Sequence, residues 1–355
     1  MPTQILLIGA GAIGAFYAAR LSTVPNTRVS VLCRSNYAAV QAEGFRIQSA
    51  QREFGASVFQ PAHVFRDVEE IRRAGVKWAW IVVATKALPD VSDDSALLEG
   101  LVASDDDDGT AIVLIQNGIG VEAPYAKRFP RTTILTAVTI ASCAQPSPGV
   151  IRHNRWTKTD LGPYRHSFSS ANSTADDMDA KRARLFTDLL VQSGFRDTKS
   201  HPPKEMQAIR WHKTAINAGM NASSVLSAGS TNFALATHPE LSAHVKAVME
   251  EVLAVAARAV NDGAPLPLQK LGLGTPEKAL ARVSDSGKDD GSRPSMWNDW
   301  ASGSRMELEV ILGNVIKAGR EAGVDVPRVQ GMYALLKAAE GNRERERERR
   351  EKGKL

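Results

Sequence analysis

The sequence predicts an α/β protein with an N-terminal domain that alternates strands and helices, followed by an all-helical C-terminal domain. Apolar runs of strand length recur before residue 200, and one of them leads through a glycine-rich turn into a helical pattern. After residue 200 only long helical patterns remain. A chain of 355 residues is long enough for about two domains. We place them at residues 1–200 and 201–340, with a charged tail at 341–355.

The glycine-rich turn near the N terminus predicts a dinucleotide-binding site. Four apolar residues, Ile5–Ile8, predict a buried strand, and Ala12–Leu21 predicts the helix after it. Between them Gly9, Gly11 and Gly14 have the spacing G-x-G-x-x-G. The first glycine permits the tight turn, the second lets the backbone approach a pyrophosphate, and the third lets the helix pack against the strand. This context favours a Rossmann-type domain over a plain strand-to-helix turn.

Two cations follow predicted strands in the same domain. Arg34 comes after the strand Arg28–Cys33, where many NAD-binding proteins carry an acid that holds the ribose 2′-hydroxyl. Because an arginine can pair with a 2′-phosphate instead, it favours NADP(H), although a surface arginine is the simpler alternative. Lys86 follows the strand Lys77–Ala84. It either contacts the phosphate or ribose of the cofactor or is solvated.

A third strand, Ala111–Ile115, ends in the sequence Gln116-Asn117-Gly118-Ile119-Gly120. Asn117 there either bridges the nicotinamide ribose and a substrate or belongs to a simple Asn-Gly turn. The other predicted elements of this domain are a strand at Thr133–Thr139, paired strands at Gly149–Asn154 and Trp156–Gly162, a polar loop at Tyr164–Asp177 and a helix at Lys181–Leu190.

The C-terminal half predicts a helix at Glu205–Asn221 that stacks Lys213, Asn217 and Asn221 on one face, at i, i+4 and i+8. A polar row on an otherwise apolar helix needs ligands or partners, so we favour a binding face over a solvated one. Further predicted elements are a core helix at Glu240–Asn261, a loop at Ser284–Pro294, and a helix at Met306–Ala322 that has Glu307 in its first turn. For Glu307 an interaction with the helix dipole is the simpler explanation.

Composition excludes several classes of protein. The net charge is +5, but residues 341–355 hold seven Lys or Arg and four Glu, which leaves 5 − 3 = +2 for the rest, a poor footprint for nucleic acid. Two cysteines, Cys33 and Cys143, do not make a disulfide framework, and no membrane span or secretory signal is expected. We therefore expect a cytoplasmic protein without a metal site. The Arg/Glu tail either extends the last helix or is disordered.

Taken together, these motifs resemble the 2-dehydropantoate 2-reductase (ketopantoate reductase) family. The resemblance rests on the GAGAIG turn, Arg34, Lys86, QNGIG at 116–120, W-x-K-x-x-x-N-x-x-x-N at Trp211–Asn221, S-M-x-x-D at Ser295–Asp299, and Glu307. It implies NADPH-dependent reduction of 2-dehydropantoate to (R)-pantoate, a step toward pantothenate and coenzyme A. The alternatives are a paralogue that reduces another 2-oxo acid and, from a different class, a nucleotide-sensing regulator without catalysis.

The resemblance also implies roles for individual residues. Lys213 would protonate the keto oxygen, and Glu307 would orient Lys213 and the substrate hydroxyl. The implied substrate-binding residues are Asn117, Asn217, Asn221 and Ser295. The implied NADP(H)-binding residues are Gly9, Gly11, Gly14, Arg34, Lys86 and Asn117. We expect the small 2-oxo acid to bind in a cleft between the domains of a monomer or homodimer.

Overall fold

A computed structural model describes residues 1–103, 109–165, 173–285 and 287–352. The chain divides into two compact units, and each is described by itself. Unit 1 comprises Met1–Lys86, Asp93–Gln116 and Val121–Met206, and unit 2 comprises Ala87–Ser92, Asn117–Gly120 and Gln207–Leu355. Two short segments from the N-terminal half thus belong to the same unit as the C-terminal helices. The domain boundaries at residues 200 and 340 stay a prediction.

Unit 1 is built on a ten-stranded sheet. In chain order the strands are β1 Thr3–Ile8, β2 Thr27–Leu32, β3 Phe45–Ser49, β4 Ala56–Phe59, β5 Val64–Phe65, β6 Trp80–Val83, β7 Ala111–Leu114, β8 Ile134–Ser147, β9 Val150–Pro163 and β10 Thr198–Ser200. Their spatial order is β4-β3-β9-β8-β7-β6-β1-β2-β5, with β10 beside β9. The run from β8 to β5 is parallel throughout. The carboxyl ends of these strands therefore lie at one end of the sheet, where open α/β sheets bind ligands.

Helices cover both faces of this sheet. They are α1 Ala12–Leu21, α2 Tyr37–Glu43, α3 Val68–Ala74, a 3-10 turn Asp94–Leu98, α4 Ala123–Arg128 and α5 Ser173–Gln192. Alternate residues of β1 enter two separate cores: Ile5 belongs to the core that contains Phe16 of α1, and Leu6 belongs to the core that contains Ile71 of α3. Burial on both faces explains why the strand is apolar without alternation.

The α/β class and the first elements of unit 1 are confirmed. The predicted strand Ile5–Ile8 is the larger part of β1, and the predicted helix Ala12–Leu21 has the bounds of α1. The predicted strands at Arg28–Cys33 and Ala111–Ile115 are β2 and β7, each shifted or shortened by one residue. The strand predicted at Lys77–Ala84 is confirmed only as the shorter β6.

The prediction of two paired strands at Gly149–Asn154 and Trp156–Gly162 is wrong. Both segments belong to the single strand β9, whose antiparallel hairpin partner is β8. Strand β8 also runs well past its predicted end at Thr139. Trp156 has a φ of +64°, and the pairing register of the two strands shifts along their length. Such irregularities interrupt the alternation of side chains, so one long strand resembles two short ones.

The polar loop predicted at Tyr164–Asp177 is too long, because α5 already begins at Ser173. Residues 166–172 of that prediction lie outside the described residues. The predicted helix Lys181–Leu190 is confirmed within α5. Asp176 lies in the first turn of this helix, where a negative charge is favourable. The same Ser-, Thr- and Asp-rich composition is typical of loops and of helix starts, which is why the prediction stopped short.

Unit 2 is helical in its described residues. Its elements are α6 Pro203–Leu226, which begins at the end of unit 1, then α7 Asn232–Thr237, α8 Pro239–Val260, α9 Pro276–Ser284, α10 Ser295–Ala301, a π-helical turn Glu309–Gly313, α11 Asn314–Ala322 and α12 Pro327–Lys352. The predicted helices Glu205–Asn221 and Glu240–Asn261 are confirmed as α6 and α8. The short helices α7, α9 and α10 were not predicted.

Near the C terminus, one predicted helix start is wrong, and one of the two alternatives for the Arg/Glu tail is confirmed. The helix predicted at Met306–Ala322 begins only at Leu308, and its first turn is π-helical rather than α-helical. Glu307 therefore lies just before the helix and not in its first turn. Of the two alternatives for the Arg/Glu tail, helix extension holds through Lys352, because α12 continues to that residue.

No helix within the described ranges is long and apolar enough to cross a membrane. The same ranges contain no group of three or more His, Cys, Asp or Glu residues that could hold a metal ion.

Candidate active site

The three glycines of the turn after β1 have different surroundings. Gly9 has a φ of +95°, and a Cβ there would lie 2.5 Å from the backbone nitrogen of Thr85. A Cβ on Gly14 would lie 2.2 Å from the oxygen of Gly9. By contrast, a Cβ on Gly11 would meet nothing within 4 Å. Gly9 and Gly14 are thus required by the packing of the turn, whereas Gly11 leaves open space beside the first turn of α1, as the approach of a pyrophosphate needs.

Polar groups follow the neighbouring strands β2 and β5, and one of them contacts this turn. Asn36 is buried and its Nδ2 donates to the oxygen of Ala10 at 2.8 Å, which ties the segment after β2 to the glycine turn. Arg34 in that segment is exposed. Arg66 follows the neighbouring parallel strand β5, and its guanidinium carbon lies 4.7 Å from the ring centre of Tyr37. The structure therefore supplies a second arginine that the sequence did not reveal, because β5 has only two residues and no recognisable pattern.

A hydrogen-bonded network orders the chain at the carboxyl ends of β6 and β7. The hydroxyl of Thr85 donates to Asp94 Oδ2 at 2.5 Å, and Gln116 Nε2 donates to Thr85 Oγ1 at 3.0 Å. Lys86 follows Thr85 directly and is exposed. Lys86 is thus placed at the ligand-binding end of the sheet, next to a fixed backbone.

In unit 2 three of the predicted site residues form one hydrogen-bonded chain. Lys213 Nζ donates to Asn117 Oδ1 at 2.9 Å, and Asn117 Nδ2 donates to Glu307 Oε2 at 3.2 Å. The other carboxylate oxygen, Glu307 Oε1, accepts from the backbone nitrogen of Ala87 at 3.0 Å. The amide of Asn117 is therefore oriented by a donor on one side and an acceptor on the other. This arrangement brings together residues that are far apart in the sequence.

The surroundings of Lys213 favour loss of its proton. Burial is the main cause that lowers the pKa of Lys213, to about 8; the neighbouring cation Arg210 lowers it further, and Glu307 acts in the opposite direction. Arg210 is 1% exposed, and its NH1 donates to the oxygen of Gly118 at 2.8 Å. Lys213 is therefore largely protonated at neutral pH and can still release its proton readily, as a general acid requires.

Arg210 was missed by the sequence reasoning. It precedes Lys213 by three residues on α6, so the two side chains lie on neighbouring positions of one helix face. An arginine within the buried part of a helix is itself a signal, since such a charge is rarely buried without partners.

Backbone contacts with the π-helical turn fix the segment that carries Asn117. The nitrogen of Ile119 donates to the oxygen of Val310 at 2.9 Å, and Asn314 Nδ2 donates to the oxygen of Ile119 at 2.7 Å. Gly118 has a φ of +82°, and a Cβ there would lie 2.4 Å from the oxygen of Val310. Only glycine fits this contact. Gly118 is thus a packing requirement of the segment that carries Asn117, and a contact of Asn117 with the nicotinamide ribose stays a prediction.

The remaining predicted substrate residues show less convergence. Asn217 follows Lys213 by one turn of α6 and is partly buried, and Asn221 is 4% exposed. Within the described residues, neither side-chain amide has a hydrogen-bond partner. Ser295 is the first residue of α10 and is exposed. Among the described residues, its hydroxyl makes no hydrogen bond to the Lys213–Asn117–Glu307 chain.

Two sequence-family profiles match this chain. The sequence profile described as ketopantoate reductase PanE/ApbA matches residues 5–166, and the profile of its C-terminal part matches residues 205–340. A 2-dehydropantoate 2-reductase of Nostoc sp. is 25% identical over 94% of this chain and 94% of its own length.

Solved structures show the same fold. The crystal structure of 2-dehydropantoate 2-reductase from Methylococcus capsulatus is 32% identical with a TM-score of 0.76, over 96% of this chain and 97% of that one. The ternary structure of D-mandelate dehydrogenase with NADH and anilino(oxo)acetate has a TM-score of 0.74 at 18% identity, over 96% of this chain and 99% of that one. The second likeness concerns the fold alone.

Proposed function

The chain belongs to the ketopantoate reductase family, and from this premise we propose that it catalyses the NADPH-dependent reduction of 2-dehydropantoate to (R)-pantoate. The observation that carries the proposal is the hydrogen-bonded chain Lys213–Asn117–Glu307. A cytoplasmic location and a monomeric or dimeric state remain predictions from the sequence.

The chemistry of a keto acid reduction suits this chain of residues. Hydride arriving at the carbonyl carbon leaves negative charge on the oxygen, and an ammonium group at that oxygen stabilises the charge and supplies the proton. Lys213 is the proton donor in this proposal. Glu307 holds the amide of Asn117, and the amide in turn holds the Lys213 ammonium by accepting its hydrogen bond. We assign both residues an orienting role, with Asn117 also contacting the substrate.

The local charges favour an anionic substrate. Lys213 is a cation at neutral pH, and the buried Arg210 lies three residues before it on the same helix. A small 2-oxo acid brings one carboxylate, which these cations attract. Asn217 and Asn221 offer amides on the same helix to the carboxylate or hydroxyl groups. Ser295 is proposed as a further carboxylate contact.

The residues of unit 1 fit a dinucleotide. When bound, the reduced nicotinamide supplies the hydride, and the protein supplies position and charge. Gly9 and Gly14 shape the turn, and the open space at Gly11 admits the pyrophosphate. Lys86 is proposed to contact the cofactor from the carboxyl end of β6, and Asn117 its nicotinamide ribose. Arg34 after β2, with Arg66 after the neighbouring strand β5, supports NADPH over NADH because two guanidinium groups can neutralise a 2′-phosphate.

The alternative function is reduction of a different 2-oxo acid by the same residues. The same fold also occurs in D-mandelate dehydrogenase, whose structure contains NADH and anilino(oxo)acetate, so the fold by itself does not select 2-dehydropantoate. A non-catalytic nucleotide sensor is the weaker alternative, because it would not need the ordered Lys213–Asn117–Glu307 chain.

Initial rates with a panel of 2-oxo acids, each with NADPH and with NADH, test the proposal. The expected result is the highest kcat/KM for 2-dehydropantoate with NADPH. A higher kcat/KM for another 2-oxo acid supports the alternative enzyme. Absence of turnover with every acid, together with tight NADPH binding in a fluorescence titration, supports the sensor.

A further inference from the structure

Helix α12 contacts the chain immediately before and after Glu307. The Glu307 segment, defined here as residues 300–309, spans the end of α10 and the start of the π-helical turn. Four side chains of α12 bind this segment: Tyr333, Lys337, Glu340 and Arg343. Arg343 belongs to the Arg/Glu tail, whose role the sequence left open.

Glu340 makes the contact nearest to Glu307. Its side chain is 4% exposed, and its Oε1 accepts from the backbone nitrogen of Met306 at 2.9 Å. The oxygen of Met306 in turn accepts from the nitrogen of Leu308 at 2.9 Å, which closes a three-residue turn centred on Glu307. Because both backbone groups of Met306 are bound, the direction in which the Glu307 side chain leaves the backbone is restricted.

Arg343 holds the same segment a few residues earlier. Its NH1 donates to the oxygen of Trp300 at 2.8 Å, and its NH2 donates to the oxygen of Ser304 at 2.7 Å. The guanidinium carbon also lies 4.2 Å from the ring centre of Trp300. The NH2 of Arg343 is also 4.0 Å from Glu340 Oε1, so this buried carboxylate has a cation beside it.

The far side of the segment is held through Glu309. Its Oε1 accepts from the hydroxyl of Tyr333 at 2.6 Å and pairs with Lys337 Nζ at 2.9 Å. Lys337 also donates to Asp90 Oδ2 at 2.8 Å, in the short segment that begins with Ala87. Ala87 is the residue whose nitrogen binds Glu307. One helix therefore restrains the backbone before Glu307, the backbone after it, and one of its hydrogen-bond donors.

We propose that Glu340 and Arg343 are positioning residues that set the orientation of Glu307 for the reaction, so that the start of the Arg/Glu tail is part of the functional enzyme. This inference rests on the proposed reductase function. Neither residue contacts substrate or cofactor in it; both act through the backbone of the Glu307 segment.

The consequence for Lys213 gives a readout that a purely structural role would not change. Glu307 raises the pKa of Lys213 against the opposing effects of burial and of Arg210. If Glu307 turns away, the ammonium loses this negative partner and releases its proton at a lower pH. The alkaline limb of the kcat profile then moves to lower pH, because the protonated form is the active one.

The test compares E340A, E340Q and R343A with wild type, and uses R347A as the matched control. Arg347 is an exposed residue of the same helix whose partner Glu351 is 3.7 Å away. We expect E340A to lower kcat roughly tenfold, within the hundredfold loss that a misplacement of about 1 Å can cause. The alkaline limb of the E340A kcat profile should shift to lower pH, whereas the NADPH affinity of this variant, measured by fluorescence titration, should not change.

E340Q is expected to recover most of kcat, because an amide oxygen can accept the same Met306 hydrogen bond. R343A should fall between E340Q and E340A, and R347A should match wild type. Wild-type kcat and an unshifted alkaline limb in E340A overturn the inference. So does a parallel loss of kcat, NADPH affinity and thermal midpoint, since that result identifies a general scaffold.

If E340A does not fold, R343A and E340Q carry the test through the same pH profile, and an unshifted limb with wild-type kcat in R343A overturns the inference. An inactive wild-type enzyme overturns the proposed function, whereas an active wild type with an unaffected E340A overturns this inference alone.

Discussion

The glycine turn of unit 1 and the Lys213 chain of unit 2 are built in opposite ways. The turn is a backbone device: one strand, three glycines and one helix make it within residues 3–21. The Lys213 chain is a side-chain device assembled from Ala87, Asn117, Lys213 and Glu307, which are far apart in sequence. The first is sensitive to any added Cβ, whereas the second is sensitive to loss of one functional group. Each prediction below tests one side of this difference.

The largest effect is expected for K213A. Removal of the proton donor should lower kcat by about 10²- to 10⁴-fold, the usual contribution of a general acid. NADPH affinity should stay within about twofold, because the glycine turn of unit 1 is untouched. Steady-state rates with 2-dehydropantoate and a fluorescence titration with NADPH measure the two quantities. K317A, at an exposed position of α11, is the matched control. Turnover that survives K213A contradicts the assignment of the proton donor.

The next largest effect is expected for R34A. Loss of a charge-assisted contact to the 2′-phosphate should weaken NADPH binding by roughly 10- to 100-fold. NADH binding should change little, because NADH lacks this phosphate. R66A should also weaken NADPH binding, but by a smaller factor. R73A, which replaces an exposed arginine of α3, serves as the control. Equal losses for both cofactors in R34A would show that the arginine does not select the phosphate.

Two glycine variants separate packing from cofactor approach. In G14A the added Cβ meets the oxygen of Gly9 at 2.2 Å, so the free energy of unfolding should fall by about 1–3 kcal/mol. In G11A the Cβ meets nothing, so stability should be retained while NADPH affinity falls, roughly tenfold if one contact to the pyrophosphate is lost. Thermal melting without cofactor and NADPH titration distinguish the two. A G11A enzyme with wild-type affinity would place the pyrophosphate elsewhere.

The smallest effect is the pH dependence of the wild-type enzyme. The folded protein lowers the pKa of Lys213 to about 8, and the proposed reduction needs the protonated form. Activity is therefore present below this pKa and is lost as the pH rises through it, so kcat/KM at pH 8 should be about half its value at pH 7 or slightly above half. Initial rates at 2-oxo acid concentrations well below KM, between pH 6 and 10, measure this limb. In K213A any remaining activity should lack it.

The comparison of the two regions also explains what could be predicted from the sequence. The bounds of α1 were predicted to the residue because its start and its apolar pattern lie within one local stretch. Lys213, Asn217 and Asn221 were placed on one face of α6 from helical spacing alone. The hydrogen bonds among Lys213, Asn117 and Glu307 follow no local rule, since they depend on how distant segments meet. Their grouping came from a family resemblance and not from periodicity.

The errors have the same origin. Strand β9 was divided in two because an irregularity at Trp156 interrupts its alternation. The π-helical turn before α11 was not foreseen, because a π turn depends on contacts such as the one from Ile119 to Val310. Arg66 was not singled out because it is an exposed residue at the end of a strand. Glu340 was not singled out because it lies on the buried side of a long helix. Neither position has a distinctive spacing in the sequence.

By itself, the sequence determined the α/β class, the glycine turn, the helical second half and the residue types that a reductase needs. These features depend on interactions between neighbouring residues, which repeat with the period of a strand or a helix. Only the tertiary structure decided that Asn117 lies between Lys213 and Glu307, and that α12 restrains the backbone beside Glu307. Asn117 is about one hundred or more positions from each of its two partners, and α12 holds the chain beside Glu307 through the buried backbone nitrogen of Met306. Long-range packing alone selects such contacts.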